Sequence, residues 1–195
     1  MLGTNGWDHG ERRAAAEQFG LDLVEFESRH EFVAAALDTA QLTLDQYLDR
    51  TVFYRERPFT RESFRDFMFS QSKAYTDSLQ IMKRLSSSAS CRYLLATLNN
   101  ESAELNAYRI QAFGLGKIFK LFLSSCYLGV RKPDAAIYRL ALRLTQQEPA
   151  QCVFIDDRPL NLECAAREGM KTIQFHNALQ LEQDLRALGI EGLDH

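Results

Sequence analysis

Residues 152–161 read Cys152-Val153-Phe154-Ile155-Asp156-Asp157-Arg158-Pro159-Leu160-Asn161. The run from Cys152 to Ile155 is apolar without alternation, the pattern of a strand covered on both faces. Two adjacent carboxylates then end it. Leu160 to Glu168 has helical spacing, and Gly169 stops it. Thr172 to Phe175 reads as a further strand, and Ala178 to Leu188 as a helix. Strands alternating with helices in this way predict an α/β fold, a parallel sheet with helices on both faces.

The same texture extends upstream. Tyr93 to Thr97 predicts a strand, Ala103 to Phe113 a helix closed by Gly114 and Gly116, Phe119 to Ser124 a strand, and Ala135 to Leu144 a helix. Before residue 86 the texture is helical throughout. Arg12–Phe19 and Val24–Leu37 place apolar residues near helical spacing. Thr43-Leu44-Asp45-Gln46 matches a capping box. Pro58-Phe59-Thr60 breaks that helix, and Thr60 caps the next, which buries Phe64, Phe67 and Met68. A last helix spans Leu79–Leu85. The expected organisation is a helical region over 5–86 and an α/β core over 87–195. No internal repeat or low-complexity segment interrupts it.

The chain has 195 residues, 46% hydrophobic and 25% charged, enough for one domain with an insertion and a core that needs no metal or disulfide. Lys and Arg total 23 against 26 Asp and Glu, a formal net charge of -3, which gives no electrostatic reason to expect nucleic acid or an anionic membrane as partner. No apolar run approaches the roughly 18 residues that span a bilayer. Met1 to Trp7 does not read as a signal peptide, so the cytoplasm is the expected location. Cys91, Cys126, Cys152 and Cys164 lack metal or disulfide spacing and read as small buried hydrophobes in a reducing compartment.

In open parallel sheets, ligands sit at the carboxyl ends of the strands. Three such ends carry polar groups: Thr97; Ser125 with Gly129 and Lys132 beyond it; and Asp156-Asp157. Adjacent carboxylates repel unless a cation offsets them, and hard oxygen ligands suit Mg²⁺. A carboxylate there also serves to cap the following helix. Lys132 either neutralises a phosphate or carboxylate or is a solvated turn lysine. Thr97 either donates to a phosphate or ends its strand. Trp7, Phe53 and Tyr54 either line a substrate pocket or belong to the core.

Taken in order, Thr97, then Gly129-Val130-Arg131-Lys132-Pro133-Asp134, then Phe154-Ile155-Asp156-Asp157-Arg158-Pro159-Leu160-Asn161 resembles the haloacid dehalogenase-like (HAD) superfamily. Ala165-Ala166-Arg167-Glu168-Gly169-Met170 is also similar. The helices before residue 86 resemble the cap that one branch inserts after its first strand. The resemblance implies a Mg²⁺-dependent phosphatase acting on a small phosphorylated metabolite through an aspartyl-phosphate. Thr97, Asn99 and Lys132 would bind the phosphoryl group, and Lys132 and Thr97 would also serve catalysis. Asp157, with Asp156, would hold the metal, and Asn161 would order the loop. A non-catalytic binding protein and a haloacid dehalogenase are the alternatives of the same fold.

One motif of the resemblance is missing. No apolar strand ending Asp-x-Asp or Asp-x-Gly occurs in the chain, and Asp8, the nearest carboxylate to the place expected for it, has no such strand before it. Leu2 to Trp7 resembles the segment that comes directly after this motif in the family, with residues 1–4 as the remnant of its loop. The expectation is a core whose central first strand, carrying the nucleophile, lies upstream of Met1. The strands ending near Thr97 and Asp156 should then flank a slot, and residues 1–195 should be inactive alone.

Overall fold

The first seventy residues build four helices whose starts are written in their capping residues. Helix α1 (His9–Phe19) begins at Asp8, whose carboxylate accepts from Gly10 N. Asp22 does the same for α2 (Leu23–Asp38). The Thr43–Gln46 capping box forms in full at α3 (Leu44–Thr51), and Thr60 caps α4 (Arg61–Ser70), both as expected. Phe64 has no exposed surface and lies at the centre of an aromatic cluster. The rings of Phe19, Phe59, Trp7, Phe26 and Phe53 stand 4.9, 6.0, 6.1, 6.3 and 6.4 Å from it. Trp7 and Phe53 therefore belong to this core, and Tyr54 lies under the Arg29 guanidinium at 3.4 Å.

The structure, a computed structural model, describes residues 1–4, 6–88 and 93–193. Helix α5 (Thr76–Ser87) starts three residues before the expected Leu79, on a polar first turn that shows no apolar period. Its Ile81, Met82 and Leu85 pack with Leu181 and Leu185 of α10 (Ala178–Ala187), in a cluster separate from the aromatic one. Residues 2–4 run beside 73–75, with Thr4 N donating to Lys73 O at 2.8 Å and Tyr75 N to Leu2 O at 3.0 Å. Only glycine fits at position 3, because a Cβ there would stand 2.7 Å from Lys73 O.

The α/β half holds β1 (Ala96–Asn99), α6 (Ala103–Ala112), β2 (Leu121–Ser124), α7 (Ser125–Leu128), α8 (Ala135–Thr145), β3 (Val153–Asp156), α9 (Pro159–Arg167) and β4 (Lys171–Gln174). The expected parallel sheet is divided. Among the described residues β1 pairs only with β2 (Ala96 opposite Leu121), and β3 only with β4 (Val153 opposite Lys171), both parallel. Neighbouring strands must lie about 4.8 Å apart to bond. β1 and β3 are not paired with each other among the described residues, and residues of both line one cavity.

Two sequence expectations need correction. The strand expected over 93–97 is shifted: Tyr93 and Leu94 are exposed, and pairing begins at Ala96 and runs to Asn99. Of the four cysteines Cys126 is buried, Cys152 and Cys164 are half-buried, and Cys91 lies outside the described residues.

Phe64→Ala should cost about 3–5 kcal/mol of stability, because the surrounding rings cannot collapse into the space. Urea unfolding followed by circular dichroism measures it. A loss under about 1 kcal/mol would show that the aromatic cluster does not carry the helical half.

Candidate active site

The cavity between β1 and β3 has a volume of about 510 Å³. Residues 96–100 form one wall and residues 153–157 the other. Residues 1–4 and the cap residues Trp7, Arg12, His30 and Asp38 complete it.

Lys132 reaches across this space. It follows α7 after Gly129, whose φ of 70° turns the chain in a way that an L side chain resists. Asn100, just beyond β1, grips the Lys132 backbone twice: its Nδ2 donates to Lys132 O at 2.8 Å, and its Oδ1 accepts from Lys132 N at 2.8 Å. The buried Lys132 ammonium lies 2.5 Å from Asp156 Oδ2 at the end of β3. The carboxyl ends of β1 and β3 therefore meet at one residue.

Asp156 is saturated with donors. Its Oδ1 accepts from Asn161 Nδ2 at 3.0 Å and from Arg158 N at 2.9 Å, while Oδ2 takes Lys132. Burial by itself would raise this carboxyl; the Lys132 charge and these hydrogen bonds outweigh it and hold the group below the ordinary carboxylate range. Asn161 stands in the first turn of α9, with its own carbonyl accepting from Tyr138 Oη at 2.9 Å. Asp157 is half-buried beside the same end of the cavity. The Met1 amino group lies close by, and burial holds it below its ordinary value against the pull of Asp157 and Asp156.

Thr97 is the second residue of β1 rather than its last, and its Oγ1 is buried without a partner among the described residues. Asn99 ends the strand. Its Nδ2 donates to Asn106 Oδ1 at 3.1 Å, and its Oδ1 accepts from Ser124 Oγ at 2.8 Å. Lys132, Asp156 and Asn161 thus form one bonded group with Asn100, Asp157 adjoins it, and Thr97 and Asn99 line the cavity wall. The grip of Asn100 on the Lys132 backbone was not foreseen from the sequence, and its place directly after the strand end is the signal that points to it.

Of the further carboxylates on the lining, Glu101 and Asp38 each have their own cation. Glu101 lies 3.2 Å from Arg109, and Asp38 lies 3.2 Å from Arg131. Burial pushes Glu101 up to about 7 despite Arg109, with Asp38 adding to the rise. Burial likewise raises Asp38. Among the described residues no three His, Cys, Asp or Glu side chains gather as a metal-binding group. Mg²⁺ commonly takes one or two protein carboxylates and completes its shell with water and phosphate oxygens. Asp157, a carboxylate on the cavity lining, is a donor of the type that chemistry takes; both oxygens of Asp156 accept from protein donors.

A family profile described as haloacid dehalogenase-like hydrolase matches residues 6–169. The chain belongs to this family. Flavin mononucleotide hydrolase 1 of Arabidopsis thaliana, a HAD-like relative, is 32% identical over 182 residues, which cover 88% of this chain and 69% of that protein. Bifunctional epoxide hydrolase 2 of Mus musculus is 35% identical over 71 residues, only 13% of its length. A HAD family enzyme from Bacteroides thetaiotaomicron superposes with a TM-score of 0.74 at 14% identity, over 90% of this chain and 88% of that one. That enzyme has also been solved with magnesium and inorganic phosphate. A HAD-like hydrolase from Porphyromonas gingivalis gives a TM-score of 0.74 at 18% identity, covering 94% and 91%. These two likenesses show the HAD fold.

Asp156→Asn leaves the Lys132 ammonium buried without its counter-charge and should cost about 3–5 kcal/mol at pH 7. A depressed carboxyl stabilises the fold above its unfolded value, near 4, and that contribution is lost as pH falls through the depressed folded value. The gap between wild type and Asp156→Asn should therefore narrow below about pH 4. Urea midpoints from neutral pH down to about pH 2.5 test this, and a constant gap would contradict it.

Proposed function

We propose that this HAD-like hydrolase is a Mg²⁺-dependent phosphatase for a small phosphate monoester. The observation that carries the reading is the Lys132–Asp156–Asn161–Asn100 group at the meeting point of two parallel strand ends. A phosphate placed there meets a buried ammonium whose position is fixed by backbone and side-chain bonds, so little reorganisation is needed on binding. Thr97 Oγ1 and Asn106 Nδ2, both buried and without partners among the described residues, are further donors on the β1 wall. Asp157 would hold Mg²⁺, which when bound offsets negative charge on the phosphoryl oxygens. The paired carboxylates Asp156 and Asp157 also weigh against the dehalogenase alternative, whose substrates need no metal.

The nucleophile belongs, on this reading, to a strand seated between β1 and β3. Both strands turn an unpaired edge to the cavity. Glu101 and Asp156, the buried carboxylates on its walls, and half-buried Asp38 are each engaged by a cation. An aspartate at the end of an inserted strand would face Lys132 and attack phosphorus, forming an aspartyl-phosphate that water then cleaves. Flavin mononucleotide, named for the Arabidopsis relative, is the first natural ester to try.

Residues 1–195 should hydrolyse p-nitrophenyl phosphate and flavin mononucleotide at background rate in the presence of Mg²⁺. The same chain extended by the segment encoded directly upstream should show Mg²⁺-dependent turnover, and Lys132→Met should lower it by about 10²-fold or more. Steady-state phosphate release measures both. Turnover by residues 1–195 alone, surviving repurification and lost in Lys132→Met, would place the nucleophile within them. An extended chain that binds phosphate without turnover would favour the non-catalytic binding protein.

A further inference from the structure

The helical half contributes His30 to the lining of the cavity that Lys132 also lines. Its Nδ1 lies 3.0 Å from the hydroxyl of Tyr47, and that hydroxyl lies 2.8 Å from Trp7 Nε1. An indole N–H can only donate, so the Tyr47 oxygen accepts from Trp7. Tyr47 has no exposed surface, and two acceptors lie near its hydroxyl proton, the Thr51 hydroxyl oxygen and His30 Nδ1, of which His30 Nδ1 at 3.0 Å is the one at full hydrogen-bond distance among the described residues. Tyr47 therefore donates to Nδ1. The opposite arrangement, with Nδ1–H donating, would strand a buried hydroxyl proton at a cost of roughly 1–3 kcal/mol. The neutral ring then carries its proton on Nε2, which has no protein partner among the described residues.

The charges that face His30 come in closed pairs. Arg12 of α1 is held by Glu27 of α2 at 2.7 Å, and Arg131, two residues after Gly129, is held by Asp38. Arg109 of α6, further along the wall, is held by Glu101. Burial, then Arg12, against the pull of Glu27, and then Arg131 push the ring down to about 4. At neutral pH the wall thus offers an uncharged donor, and the arginines nearest it, Arg12 and Arg131, already have carboxylate partners.

We infer that His30 reads the leaving group of the substrate. Its Nε2–H donates to an uncharged oxygen or nitrogen acceptor, so the site prefers monophosphates of neutral polar alcohols over esters bearing a second anionic group. A carboxylate or second phosphate would lose its hydration beside His30, where Arg12 and Arg131 already have carboxylate partners; Arg158, just after β3, is the lining arginine without an ion pair among the described residues. This inference rests on the phosphatase reading of the Lys132 site. Tyr47 and Trp7 act as positioning residues, because they set the tautomer without touching the ligand.

The test uses the full chain and reads binding, so it does not depend on turnover. Long-range ¹H–¹⁵N spectra of the histidine rings should find His30 as the Nε2–H tautomer, uncharged down to about pH 5. Trp7 is the sole tryptophan, and its emission reports ligand at this wall. Three probes are titrated: inorganic phosphate, glycerol 3-phosphate and 3-phosphoglycerate, the last two differing by a carboxylate. Glycerol 3-phosphate should bind about tenfold tighter than 3-phosphoglycerate. His30→Phe should weaken glycerol 3-phosphate roughly fivefold to tenfold, the worth of one hydrogen bond, and leave inorganic phosphate unchanged. His30→Gln, which keeps a neutral N–H, should retain most of the affinity. An Nδ1–H tautomer, a preference for 3-phosphoglycerate, or equal losses for phosphate and its ester in both variants would overturn the role of His30. If inorganic phosphate fails to bind, or binds equally to Lys132→Met, the phosphatase reading falls and this inference falls with it.

Discussion

Lys132 joins two halves of the core that no strand ladder connects. Its ammonium is held by Asp156 at the end of β3, and its backbone is held by Asn100 at the end of β1. An ion pair this deep gains little net stability, because both charges give up their water. Its remaining bonds decide what it does. Asn161 and Arg158 N satisfy Asp156, and Asn100 fixes the chain that carries Lys132, so the ammonium has one position. The pair therefore acts as a fixed electrostatic element. The division of the sheet on either side of it leaves a cavity directly against that charge.

The cap supplies the other wall, and its construction follows a different rule. Around Phe64 the aromatic side chains fill space, and polar contacts are pushed to the margin that faces the core. That margin holds the Arg12–Glu27 and Arg131–Asp38 pairs and the Trp7–Tyr47–His30 chain. Both walls pair their cations with carboxylates, Lys132 with Asp156 on one and Arg12 and Arg131 with Glu27 and Asp38 on the other, and the second alone adds the uncharged ring of His30. The contrast is a physical basis for binding an anion at one end of a molecule and an uncharged group at the other.

Much of this was legible in the sequence because it is local. Thr43 and Thr60 announce their helices through bonds that span three residues, and the strand Val153–Asp156 is marked by an apolar run with a sharp polar end. The division of the sheet was legible from what the resemblance lacked. Strand β1 was harder. From Tyr93 to Leu98 the residues are nearly all apolar, and only the pairing partner decides where the ladder starts and stops. The shift to Asn99 changes which residue comes after the strand, and so the grip of Asn100 on Lys132 was missed. The His30 chain was equally hidden, since it depends on contacts between residues 17 and 40 positions apart. Helix α5 was clipped because the polar turn Thr76–Ser78 has no apolar period.

Leu105 belongs to α6 of the core, yet it lies 1% exposed inside the aromatic cluster of the cap. Beside it Phe69 of the cap stacks on Tyr108 of α6 at 5.1 Å, and Glu104 accepts from Leu44 N at 2.9 Å. Swinging the cap away as a rigid body would uncover Leu105 at a cost of about 1.5–3 kcal/mol before any other contact is broken. That alone keeps an open form to about one molecule in ten to one in a hundred. The closed arrangement of the helical and α/β halves is therefore the resting state, and a ligand can favour the open one only by binding it more tightly.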